Sequence, residues 1–277
     1  MFEILQFEFM RNALLAGFLV SVICGIIGTF VVVNRIAFLA GGIAHAAYGG
    51  IGLAFFLGLP YLIGTLGFTL FAAIIMAAVT LKARSRADTF IGVLWATGMA
   101  LGVLLLDLTP GYNVDLMSYL FGSILAVPKA DLWQMLIVCL MVVIIVLLFY
   151  NNFLAMSYDE EFAQLRGIPV KALYFLLIGM IALSIVMIIR VVGLILVIAL
   201  LTIPPYIAEK YSSSLRMMMF ISTLLCCMFT MVGLWLSYIF NLTSGATIIM
   251  TAAAAFFISF LARYLKTKSL YSKAIGV

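Results

Sequence analysis

The chain carries one histidine, His45, and it lies inside the apolar run GGIAHAAYGGIGLAFF. Neutral imidazole is the commonest metal ligand among side chains. An ionisable group inside a membrane-compatible segment is costly, so it marks a functional candidate by default. Helical spacing puts Gly41, His45, Gly49 and Gly52 on one face, with Gly42, Ala46, Gly50 and Ala54 beside it. Glycines above and below an imidazole leave open space around it. Small residues at four-residue spacing also let a second helix approach closely. The competing reading is therefore a packing seam in which His45 bonds a neighbouring backbone group. Asp107, Asp115 and Asp131 make a second candidate, an acidic stretch on the outer side. As a cation vestibule it would offer Asp107 and Asp115 as further metal ligands; otherwise the three serve loop solubility.

A third feature is the polar island Phe153 to Lys171, FLAMSYDEEFAQLRGIPVK, set between long apolar runs. It is expected to lie in water. Within it DEEFAQLRGIP predicts a short helix, acidic at the start where the dipole is positive and closed by Arg166. Gly167 and Pro169 then stop it. Phe162 and Leu165, three apart, form a small apolar face that a solvated linker does not need and a docking helix does.

The elements that hold these residues follow from composition. The chain is 67% hydrophobic and 9% charged, with mean hydropathy +1.32; soluble domains carry about 25% charged residues. This is an all-α, polytopic transmembrane helical bundle, read as one integral membrane domain over 1–277. The net charge of +5 does not imply nucleic acid, because the basic residues sit in short loops beside spans. Apolar runs of about 20 residues fall at 12–33, 42–59, 61–81, 89–106, 132–150, 172–189, 191–207, 217–240 and 245–264. That gives nine spans, or eight if the pair meeting at Arg190 is one. Met117 to Val127, about a dozen residues, is too short to span and suits a re-entrant or interfacial helix. Residues 1–11 predict an interfacial lead-in rather than a signal peptide, and 265–277 a cytoplasmic tail.

Counting lysine and arginine over nine spans places twelve of the fifteen on the side of the island and leaves Arg11, Lys129 and Arg190 opposite. The positive-inside rule then puts the island and the C-terminus in the cytoplasm and the N-terminus outside. Cys24, Cys139, Cys226 and Cys227 lie in apolar runs without ligand spacing and read as small buried hydrophobes. Pro204 and Pro205 predict a helix stop, or a bend that serves a cytoplasmic gate. No carboxylate sits centrally in a span, as a proton-coupled carrier would need, and no phosphate-binding G-x-x-x-x-G-K-[ST] loop is present. If the protein pumps, its energy arrives from a separate subunit.

Four stretches, RIAFLAGGIAHAAYGGIGLA, NVDLMSYLFGSIL, SYDEEFAQLRGIPV and VVGLILVIALLTIPPYIAE, occur in the order seen in one family. From about Ala16 to Ala262 the chain resembles a permease subunit of the ATP-binding-cassette (ABC) importers for zinc, manganese or iron. The resemblance implies a non-enzymatic permease in a bacterial inner membrane, working as a homodimer. Its partners would be a cytoplasmic ATPase subunit and an extracytoplasmic metal-binding protein. The metal ion would be substrate, with no tightly bound cofactor. It implies that the island is a coupling helix whose Asp159, Glu160, Phe162, Leu165, Arg166 and Gly167 contact the ATPase. The family commonly places an aspartate four residues before the histidine of the second span, where this chain has Gly41. Manganese prefers oxygen ligands, and zinc takes nitrogen or sulfur as readily, so zinc is the expected ion. An ion- or proton-coupled secondary transporter, or a permease for a metal chelate or vitamin, stands as the alternative.

Overall fold

The computed structural model describes residues 7–83, 86–110, 122 and 124–275, with side chains as far as 262 and at 264. The described helices are α1 Glu8–Val33, α2 Ala37–Phe56, α3 Tyr61–Lys82, α4 Ala87–Asp107, α5 Lys129–Leu148, α6 Tyr150–Tyr158, α7 Glu160–Leu165, α8 Val170–Val192, α9 Leu194–Glu209, α10 Leu215–Phe240 and α11 Ser244–Ile275. A 3-10 turn at Ile124–Ala126 precedes α5. Among the described residues eight helices are long and apolar enough to cross a membrane, and α9 is a shorter apolar helix. At 1.5 Å per residue α9 is about 24 Å long, less than a hydrocarbon core of about 30 Å.

Helix α1 is central. It packs against α10 and α9 on one side and α5 on the other, while α2 sits between α3 and α4. Helix α8 reaches α3 and α5, joining the two halves. Three hydroxyls buried in this bundle bond back into their own helix: Ser21 to the Gly17 carbonyl, Thr29 to that of Gly25 and Thr69 to that of Thr65. That satisfies polar groups where water is absent.

Several expectations are corrected. The boundary expected at Arg190 lies three residues later, at Gly193, whose φ of 79° suits glycine. Arg190 is in the last turn of α8. The second span begins and ends earlier than expected, because Gly58 at φ 64° closes α2. Pro204 and Pro205 do not stop their helix; α9 continues through both to Glu209. The prolines strip hydrogen-bond donors from two carbonyls four residues back. Cys226 of α10 donates its thiol to one of them, Leu200, at 3.7 Å. The other, Leu201, faces Gly28 of α1, where an added Cβ would come within 2.7 Å of it. Cys226 therefore does more than fill space.

The island is not wholly in water. Phe153, its first residue, is 0% exposed and meets Phe30 of α1 at a ring-centroid distance of 5.2 Å. The stem α6 thus belongs to the core. Most of the expected re-entrant segment, 117–121 and 123, lies outside the described residues, as do Asp115 and residues 1–6 of the lead-in. The remainder of the lead-in forms the first turn of α1.

Candidate functional site

Helices α2 and α4 meet through small residues on both sides. A Cβ at Gly98 would lie 2.8 Å from the Ala46 Cα, and one at Gly49 would lie 2.8 Å from the Gly98 carbonyl. Gly52 and Gly102 would collide in the same way, Gly102 with the Tyr48 backbone. These glycines are filled by backbone rather than left open, so most of the expected space beside His45 is a helix contact. Gly41 is the exception. A Cβ there would meet only Ile198 and Trp95, at the ordinary distances of 3.8 and 3.9 Å.

Close contact fixes which α4 side chains reach the histidine. Trp95 stacks on the imidazole at 4.0 Å between centroids and 14° between planes. One turn on, Met99 Sδ lies 3.1 Å from His45 Nδ1. All three side chains are half-buried, so the cluster borders a face that one copy of the chain leaves partly uncovered. The partner of His45 is therefore a thioether, not the backbone group that a simple packing seam would supply. Neither Trp95 nor Met99 was singled out from the sequence. Both are ordinary apolar residues there, and only their distance from His45 marks them.

The acidic candidates are not brought to this place. Asp107 is exposed, eight residues beyond Met99 on α4, roughly 12 Å along the helix axis. Asp131 is paired with Arg190 at 2.8 Å, and that guanidinium also lies over the Tyr61 ring at 5.3 Å. A vestibule built on three aspartates loses one charge to this ion pair. No group of three or more His, Cys, Asp or Glu able to hold a metal occurs among the described residues.

At the other end of the bundle the island forms α7. Its Asp159 caps the helix by accepting from the Phe162 N–H at 2.9 Å. Gly167, at φ 75°, closes the far end as Gly167 N–H donates to Gln164 and Ile168 N–H to Ala163, a Schellman motif. A helix of six residues is too short to persist alone, so these closures hold it. Ala163 is buried, whereas Phe162 is 50% and Leu165 87% exposed. Arg166 covers one side of the Phe162 ring at 5.6 Å, and Gln164 reaches Glu160 at 3.4 Å. A groove of about 690 Å³ beside them is lined by Asn151, Tyr158, Asp159, Phe162 and Arg166. Asn34, at the end of α1, donates to Ser157 at 3.0 Å and ties this assembly to the core.

Comparison with known proteins decides the family. The model of the ABC 3 transport family matches residues 6–263. The chain belongs to that family. As an ABC permease it is a multi-pass membrane protein, not an enzyme, and ATP hydrolysis resides on a separate subunit. An uncharacterized membrane protein of Synechocystis sp. is 50% identical over 94% of this chain and 92% of that protein. The manganese transport system membrane protein MntC of Listeria monocytogenes is 33% identical over 93% of this chain and 92% of its own. Among solved structures, PsaBC from Streptococcus pneumoniae in complex with Fab matches at 34% identity and a TM-score of 0.85. It covers 96% of this permease and 97% of that chain.

Proposed function

We propose that this permease forms the membrane path of an ATP-driven importer of divalent transition-metal ions in a bacterial cell membrane, working as a homodimer. An extracytoplasmic protein delivers the ion, and ATP binding on the cytoplasmic partner draws two copies of α7 together to switch the path. The observation that carries this reading is α7 itself: closed at both ends, anchored through buried Ala163, and presenting Phe162 and Leu165 outward. Membrane proteins have no reason to hold a greasy pair in water unless something covers it. We read α7 as cytoplasmic, with the N-terminus outside and the C-terminus inside, from a lysine and arginine count that takes the short α9 as a ninth crossing.

Two ions divide the support. Manganese is favoured by relatives whose names say they transport it, such as MntC of Listeria monocytogenes. Zinc is favoured by the side chains around His45, where Gly41 supplies no carboxylate and Met99 supplies sulfur. We take zinc as the better match to this chain. The test of the coupling reading is Phe162→Ala with Leu165→Ala, scored for metal uptake and membrane insertion. Loss of uptake with normal insertion is expected; normal uptake overturns the docking role.

A further inference from the structure

We infer that Met99 is a metal-coordinating residue acting with His45, so that the path admits borderline or soft cations through a nitrogen–sulfur pair. This rests on the reading of His45 as a transit ligand for a metal ion.

Three observations carry it. The two donors come from different helices, yet Nδ1 and Sδ stand 3.1 Å apart. Glycine contacts at Gly98 and Gly102 hold α4 in register with α2, so the pair does not depend on a mobile loop. Trp95 covers one face of the imidazole, which leaves the ring edge, where the nitrogens are, as the part a cation can approach. In the empty state Nδ1–H donates to the thioether. With an ion present the proton sits on Nε2 and the Nδ1 lone pair faces the metal.

The geometry fits an ion with a small adjustment. Nitrogen and sulfur on one tetrahedral zinc, at about 2.0 and 2.3 Å from the metal, stand roughly 3.5 Å apart. Methionine has three rotatable side-chain bonds and can open the pair by that amount. Imidazole and thioether suit zinc and softer ions, whereas manganese, magnesium and calcium look for carboxylate, carbonyl and water. Neither Gly41 nor Asp107 places a carboxylate beside the pair. Two protein donors make a weak site, which a conducting path requires so that the ion leaves again.

The test uses cells carrying the full chain and its own transporter partners at the native locus, with radioactive zinc and radioactive manganese as probes. Uptake is expressed per molecule of permease in the membrane. Met99→Leu, which conserves volume, should lower zinc uptake at least roughly tenfold and change manganese uptake by less than about twofold. Met99→Cys keeps sulfur and should retain zinc uptake; Met99→Gln replaces sulfur with amide oxygen and should shift the ratio toward manganese. An equal fall in both ions with Leu, Cys and Gln assigns Met99 to packing and overturns the proposal. So does unchanged zinc uptake with Leu. His45→Ala separates the two layers of the argument. If it abolishes uptake while Met99→Leu has no effect, only the sulfur ligand falls. If it leaves uptake normal, the transit reading falls and the sulfur ligand with it.

Discussion

Arg190, in the last turn of α8, reaches Asp131, in the first turn of α5, across 2.8 Å. The carboxylate side chain is 8% exposed and the guanidinium 42%. The pair joins the ends of two helices that are far apart in sequence, and the Tyr61 ring of α3 under the guanidinium adds a third. Its Coulomb energy is partly screened on the arginine side. Removing only the carboxylate leaves a cation facing an apolar surface.

Asp131→Ala should therefore cost about 1–3 kcal/mol, and Arg190→Ala more than that, because it strands the buried carboxylate. The double variant should be less damaging than the sum of the two. Thermal unfolding in detergent of all three checks this; strict additivity would show that the pair contributes nothing.

Cys226 donates to a carbonyl that Pro204 leaves without its helical partner. Cys226→Ala should lower stability by about 1–2 kcal/mol, since a buried acceptor is left unpaired. Cys226→Ser, which keeps a donor, should recover most of the loss. Thermal unfolding of the two variants decides it, and equal loss in both would point to sulfur packing instead.

The ends of α7 are set by single residues. Asp159→Ala removes a cap worth about 1 kcal/mol. Gly167→Ala forces a Cβ into a left-handed conformation at a cost of about 1 kcal/mol. Both should leave insertion intact and lower metal uptake. Limited proteolysis across 158–168, compared with the parent chain, should show earlier cleavage in each.

Gly41 accepts a Cβ at ordinary contact distance from Ile198 and Trp95. Gly41→Asp would add an oxygen donor one helical turn before His45 and should raise manganese uptake relative to zinc several-fold. Competition between the two ions in uptake by intact cells measures the ratio. No change in the ratio would show that position 41 does not face the ion path.

Much of this architecture was legible in the chain, because long apolar runs and basic loops report membrane spans directly. The island was legible too: Asp159, Gly167 and the Phe162–Leu165 pair carry local signals of cap, stop and exposed face. Trp95, Met99 and the Leu200–Cys226 contact were not. They depend on which faces of α2, α4, α9 and α10 meet, and helical spacing within one segment does not specify its neighbour. The glycines of the second span show the same limit. Their spacing predicted closeness, but not that α4 backbone fills most of it while Gly41 meets no neighbour closer than ordinary contact. Proline misled for a related reason. Pro204 and Pro205 cost α9 two internal bonds, but α10 and α1 cover the exposed carbonyls, so the helix persists.

Gly122 and Gly193 touch where α8 gives way to α9; a Cβ on Gly122 would run into the Gly193 nitrogen and the Val192 carbonyl carbon. Both glycines have positive φ, so another residue at either position would also be strained on conformational grounds. The segment entering α5 and the start of α9 thus meet backbone to backbone, with no side chain between them. The Arg190–Asp131 pair ties the same two stretches, so the α8–α9 junction is held to the start of α5 by a backbone contact and an ion pair together.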